Sequence, residues 1–397
     1  MDFNVIGMEL LKAIGLFFIH PLFYILLMFS LFLGYKRVQR ERAMFHTRVY
    51  DVVDDLIYPV LPGLLAGFVL SILIVAIGVV IPIGIIVLFA LVYGVILLTG
   101  QARWLSPAYI GGITLLVAML LPKFETGTVI IDQWIAEVHS VHLGGLALLV
   151  SLFLITEGAL ILKTGYKQSS PKLLKSKRGK IIGAQEAQRV WILPVFLLLP
   201  MGPLFPIEFW PLLNADVPQL GLIAVPFAVG FQQVIRSTIP VHAIINNGKR
   251  VLLIGIFVLA LSVLSLYFPI FVPIVAIALI FGRETLTFLL RLKEEKETNM
   301  YTQRENGLVI LGVIPKSPAE KMAVKVGEVV TKVNGVRVRN AQQFYEGLQL
   351  NSAFCKLEII DENGELRFAH TSLYTGEHHQ IGILFVADEP KYENNVM

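Results

Sequence analysis

Residues 56–102 read LIYPVLPGLLAGFVLSILIVAIGVVIPIGIIVLFALVYGVILLTGQA and contain no Asp, Glu, Lys or Arg. A spanning helix needs about 20 predominantly apolar residues, so this stretch is too long for one crossing and fits two. Pro82, inside Ile81-Pro82-Ile83-Gly84, lacks a backbone donor and crowds the preceding turn, which sets the break of a helical hairpin there. Residues 251–282 are also uncharged, long for one helix and short for two, with Pro269 and Pro273 near the centre, and read as a tight hairpin. Lipid is the solvent these stretches are built for.

Composition agrees. The 397 residues are 55% hydrophobic and only 16% charged, with a mean hydropathy of +0.71, whereas soluble domains carry about a quarter charged residues. Working outward, residues 14–34 form a first span with neither a basic start nor a small-residue cleavage site, hence a retained helix and not a signal peptide. Residues 104–121 and 141–162 are further spans, followed by a proline-rich pair at 190–205 and 217–235. Pro194, Pro200, Pro203 and Pro226 would each remove a donor and kink a helix, so broken or re-entrant segments are the alternative for that pair. The expected fold is an α-helical polytopic membrane domain over 1–283, with about eight to nine spans.

Lysine and arginine in short loops mark the cytoplasmic side. They crowd three loops: Lys36 to Arg48, Lys163 to Arg189, and Arg236 to Arg250. Nine crossings would then place the N-terminus outside and everything after Gly282 inside; eight would reverse this. Positive-inside topology accounts for Lys172, Lys175, Lys177 and Arg178 in the second loop, and binding of anionic lipid or a protein partner is the rival reading. The formal charge of +4 does not signal nucleic acid, because the basic residues sit beside hydrophobic segments rather than in a patch interleaved with aromatics. The single cysteine, Cys355, excludes an internal disulfide and a multi-thiolate zinc site.

After a charged helical linker at 284–299, the composition becomes that of a compact soluble domain over 300–388, with a polar tail at 389–397. Residues 308–314 are short, apolar and branched, as in a buried strand. Ser317-Pro318-Ala319-Glu320 offers an N-cap, a proline at the first helical position and a capping-box glutamate. Asn334-Gly335 between valines is a hairpin turn, Asn340 caps a helix over 341–348, and strands follow at 356–360, 365–370 and 381–386.

Gly312-Val313-Ile314-Pro315, Ser317-Pro318-Ala319-Glu320-Lys321, Val326-Gly327-Glu328-Val329-Val330 and Val333-Asn334-Gly335 together resemble the bacterial type of PDZ domain, over about a fifth of the chain. Two residues depart from its pattern: Ala323 stands where a glycine is usual, and Glu328 where an aspartate is. A non-glycine residue in a left-handed cap costs about 1 kcal/mol. The resemblance implies an α+β module that binds a peptide as an added strand, with its carboxylate held by a Gly-Φ loop. Only Gln380-Ile381-Gly382-Ile383 has that pattern, so the expected groove is circularly permuted, lined by those residues on the strand and by Phe344, Tyr345 and Leu348 on the helix.

Many spans followed by one such domain resembles the MinJ family, the topological determinants of cell division in Bacillus-type bacteria. That resemblance implies a non-enzymatic adaptor in the cell membrane at division septa and poles. It would bridge a DivIVA-like scaffold to a MinD-like ATPase and other septal proteins, need no cofactor, and carry a cytoplasmic PDZ-like domain. A PDZ-containing membrane protease, or the substrate-selecting partner of one, is the first rival, but neither a His-Glu-x-x-His nor a Gly-x-Ser-x-Gly sequence is present. The second rival is a transporter, motivated by Glu157 inside the 141–162 span, for which no lysine or arginine partner within a span is expected. His139 and His142, with Glu137, would be a minimal metal site; interfacial polar residues are the plainer reading.

Overall fold

The computed structural model describes residues 3–176, 179–206, 210–213, 217–351, 353–373 and 381–386. The membrane part opens with α1 (Phe3–Ile19) and α2 (Pro21–Phe45), where a single span over 14–34 was expected. The break has a local cause: Pro21 is a first-turn proline, and His20 caps the new helix by accepting the Leu22 N–H on Nδ1 at 3.2 Å. The uncharged hairpin is as expected, with α3 (Asp54–Ile77) and α4 (Ile83–Leu97) parted at Gly78 and Pro82. Next come α5 (Pro107–Leu120), an outer helix α6 (Val129–Ser140) and α7 (Leu143–Leu160), which ends in a π turn.

Helices α8 (Pro240–Tyr267) and α9 (Phe271–Lys296) form the second hairpin, turning around Pro269. Both overrun the uncharged stretch, and α9 continues unbroken through its charged end. Among the described residues α2, α3, α7 with its π turn, α8 and α9 are long and apolar enough to cross a membrane, and α4 and α5 are shorter apolar helices.

The proline-rich pair is not helical. β1 (Ser170–Lys175), β2 (Ile181–Leu204) and β3 (Leu220–Ile235) form an antiparallel sheet in the order β1-β2-β3, so two of the nine expected helical crossings are strands. The ladder explains the prolines. Pro194 lies opposite Pro226, and in an antiparallel pair alternate residues point their backbone groups away from the partner strand. At that pair the missing donors would have faced outward, so no ladder bond is lost.

A hairpin in an apolar environment must still satisfy its outward groups. Two residues beyond Pro194, the Phe196 N–H donates to Ser71 Oγ at 2.9 Å, and two further on the Leu198 carbonyl accepts the Ile81 N–H at 2.8 Å. On the other edge Tyr93 Oη donates to the Ala228 carbonyl at 2.8 Å and accepts the Ala228 N–H at 3.1 Å. Helix α3 lies against β2 through Gly63 and Gly67, where a Cβ would sit 2.6 Å from the Ile192 carbonyl oxygen and 2.7 Å from that of Pro194. β2 and β3 are accordingly buried along most of their length, with Ala13 and Phe17 of α1 packed on Ala224.

At its open end the hairpin is fixed by charge. Asp55 of α3 takes Arg37 Nε of α2 at 2.8 Å and Arg189 Nη1 of β2 at 3.3 Å. Glu41 accepts the Val49 N–H and Ser170 Oγ, tying α2 to β1.

The C-terminal domain has β4 (Leu308–Val313), α10 (Pro318–Lys321), β5 (Val329–Val333), β6 (Val336–Arg337), α11 (Ala341–Gln349), β7 (Phe354–Ile360), β8 (Leu366–Ser372) and β9 (Ile383–Phe385). Its sheet runs β8-β7-β5-β4-β9, with β6 paired to β5. Ala323 sits at φ 53, the left-handed conformation in which glycine is usual. Glu328 is buried and grips Arg367 at 2.6 and 2.9 Å, a reach that the longer acid provides.

Candidate peptide-binding groove and its membrane dock

Among the described residues β9 is an edge strand paired with β4, and α11 lies against β5, with Gly347 on Val333, and reaches β9 through Phe344. Asn340 caps α11 by accepting the Gln343 N–H at 2.8 Å, and the helix turns Phe344 and Leu348, four residues apart, to the same side. The Phe344 ring meets Phe385 of β9 edge-on at 4.9 Å. Ile381, Ile383, Phe344 and Leu348 thus share one core cluster, and Tyr345 meets it through the Phe344 ring at 5.6 Å. Gln380 falls outside the described residues.

Their exposure divides them. Ile381, Ile383, Phe344 and Leu348 are core residues, each 3% exposed or less, whereas Tyr345 is 41% exposed. The backbone before β9 is held by the first helix of the domain: the Ala319 N–H donates to the Ile381 carbonyl at 3.0 Å, and the Ile314 N–H to that of Gly382 at 2.8 Å. Gly382 is at φ 86, and a Cβ there would come within 2.2 Å of Ser317 Oγ. Only glycine suits both the conformation and the space.

The opposite face of this sheet is a dock. Strand alternation sends Leu308 and Ile310 into the domain core and Val309 and Leu311 to the other side, where they join Tyr301 and Val386 against Phe45 of α2, Leu173 of β1 and Ile181 of β2. β4 is therefore apolar on both faces, which is why its sequence lacks polar alternation. Backbone bonds lock the contact: Gly183 N–H to the Tyr301 carbonyl at 2.8 Å and Met300 N–H to that of Arg236 at 2.7 Å. Gln185 donates to the Leu311 carbonyl, and Glu294 of α9 accepts the Arg236 and Ser237 N–H groups at 2.9 and 3.0 Å.

Sequence reasoning did not find Tyr301, Gln185 or Glu186 of this junction. Lys172, expected in a solvated loop, lies in β1 with its ammonium 3.4 Å from Glu186, which also holds Arg40 and accepts Gln232 Nε2 at 3.0 Å. Lys175 ends β1 and is exposed; Lys177 and Arg178 fall outside the described residues.

Glu157 is fully buried, and the expectation that it lacks a cation within a span is overturned. Arg283 of α9, itself 4% exposed, lies 3.0 Å away, and Ser106 Oγ donates to the other carboxylate oxygen. Because α9 begins at Phe271 and runs to Lys296, Arg283 is mid-helix rather than a flanking topology signal. His139 makes ring-nitrogen contacts to the Ile135 and Leu121 carbonyls, His142 Nδ1 caps α7, and Glu137 accepts the Gly84 N–H. Among the described residues no group of three or more His, Cys, Asp or Glu could hold a metal ion. Burial pushes the Cys355 thiol up to about 12, leaving almost no thiolate at neutral pH.

The PDZ domain family matches residues 309–356, from β4 into β7. "Cell division topological determinant MinJ" of Bacillus subtilis (strain 168) is 37% identical over 388 residues, 98% of this chain and 97% of that protein. "Probable cell division topological determinant MinJ" of Lacticaseibacillus paracasei, and that of Lacticaseibacillus casei (strain BD-II), are each 26% identical over 258 residues, 62% of this chain and 67% of theirs. No solved structure matches the chain.

Proposed function

The chain belongs to the MinJ family of cell division topological determinants, and from that premise we propose that it is a non-enzymatic membrane adaptor that helps place the division septum. In this reading it bridges a DivIVA-like polar scaffold to a MinD-like ATPase and so suppresses division near the poles. The observation that carries it is the similarity running through membrane part and PDZ domain alike, since a shared peptide-binding module alone would suit many functions.

The dock supports a cytoplasmic side for the PDZ domain. The ends of α2, β1 and the β3–α8 turn carry the basic clusters, and all three touch the domain through Phe45, Leu173 and Arg236. Positive-inside topology then supports a cytoplasmic domain. Replacing two crossings by a hairpin that enters and returns leaves the parity of the chain unchanged. Spans confine the adaptor to two dimensions, where a modest peptide affinity suffices through raised effective concentration.

We read the free edge of β9 beside Tyr345 as a circularly permuted peptide groove in which the buried residues shape the floor. Glu157, closed by Arg283 and Ser106, is read as a structural ion pair, which disfavours transport. A fluorescent fusion imaged in rod-shaped cells should concentrate at septa and poles, and deletion should give misplaced septa. Uniform membrane fluorescence with normal septa would sink this function.

A further inference from the structure

The PDZ domain has a second concavity, away from β9 and α11. Where β4 begins, the turn Glu305-Asn306 and the β5–β6 hairpin diverge and leave a cleft of about 280 Å³ lined by Thr331, Lys332, Arg337 and Arg339 together with that turn. The volume approaches that of small-ligand sites. Its rim sets three cations against one carboxylate.

Lys332 is already engaged by Glu358 at 2.9 Å. Arg337 and Arg339 are exposed, and among the described residues neither guanidinium has an acid partner. Val338 between them turns inward, 1% exposed, with its N–H on the Thr331 carbonyl at 3.1 Å. Its two neighbours are exposed and both line the cleft, two residues apart, a spacing that lets both reach one ligand.

We propose that this cleft binds an acidic polypeptide segment, whose carboxylates bridge Arg337 and Arg339. Planar guanidinium forks match carboxylates in paired, charge-assisted hydrogen bonds. A polypeptide fits better than a densely anionic surface for two reasons. Among the described residues β6 pairs with β5 alone, over Val336–Arg337, which leaves its other edge for an extended chain, and Glu305 on the rim repels a concentrated negative charge. The cleft shares no residue with the β9–α11 groove, so it stands whether or not that groove takes a peptide. With both occupied, one domain holds two partners at once.

The test uses the purified full chain in detergent and a fluorescein-labelled hexaglutamate peptide followed by anisotropy, with hexaglutamine and phosphatidylglycerol vesicles as alternatives. Hexaglutamate should bind and hexaglutamine should not. Arg337→Gln with Arg339→Gln should weaken binding about tenfold or more. Glu305→Gln should tighten it severalfold, a gain that misfolding cannot mimic, and Lys316→Gln with Lys325→Gln, on another side of the domain, should change nothing. The proposal is overturned if hexaglutamate does not bind, if the Lys316 and Lys325 exchange weakens it equally, if rim exchanges have no effect, or if only the vesicles bind and the arginine exchange abolishes that.

Discussion

Two apolar, proline-bearing stretches of this chain end in different structures. Helix α3 carries Pro59 and Pro62 yet stays helical; the stretch holding Pro194 and Pro226 is a hairpin. In the helix, Pro59 frees the carbonyl four residues back, that of Asp55, and Ser30 Oγ of α2 donates to it at 3.3 Å. In the hairpin the prolines face each other at a pair whose donors point away from the ladder. A proline is thus tolerated in an apolar setting when a neighbour takes the orphaned group or when the geometry never needed it, and the two regions show one solution each. The hairpin is bound to the rest by neutral hydroxyls along its edges and by the Asp55–Arg189 pair at its open end, whereas α7 and α9 are joined by the buried Glu157–Arg283 ion pair.

The largest expected effect comes from that ion pair. Arg283→Met leaves Glu157 buried without a cation and should lower stability by about 3–5 kcal/mol, with much of the loss recovered by adding Glu157→Leu. Thermal melting of the detergent-solubilised protein measures both; a double variant no better than the single would show that the pair does not act as a unit. Gly67→Val comes next. Its side chain must enter the space of the Pro194 carbonyl, displacing α3 from β2 at about 1–3 kcal/mol or more, and proteolysis within 190–205 should rise with it.

These two changes probe the places where sequence reading failed. Hydropathy measures transfer to an apolar phase and is blind to backbone form, so an apolar strand and an apolar helix of equal length look alike. Prolines at 194 and 226 spoke against regular helices, but their pairing across a ladder is a long-range fact. The Glu157 partner was missed because uncharged runs do not bound helices: α8 starts at Pro240 and α9 ends at Lys296, well outside 251–282. The PDZ-like order was legible because turns and caps at Ser317, Asn334-Gly335 and Asn340 are local signals. The dock was not, although six apolar residues in succession at 308–313 already implied a strand covered on both sides.

Tyr93→Phe should come third. It leaves the Ala228 N–H and carbonyl without a partner, costing about 1–3 kcal/mol, and faster hydrogen exchange at Ala228 would report it; unchanged exchange would mean that the edge is satisfied by other means. Ser30→Ala is the smallest, about 0.5–1.5 kcal/mol by loss of one hydrogen bond. A shift in melting as large as that of Tyr93→Phe would break the distinction between the two proline sites.

The two-sided burial of β4 bears on how this protein can be dissected. A fragment beginning after Lys296 would carry Val309, Leu311, Val386 and Tyr301 into water with nothing across from them. Self-association of such a fragment would report an amputated seam and not a native dimer. A faithful soluble version must bring a surrogate for the hairpin base, or repaint those side chains with polar ones. Two-hybrid maps drawn with the bare domain would be read with the same care, because any greasy partner can stand in for the missing membrane half.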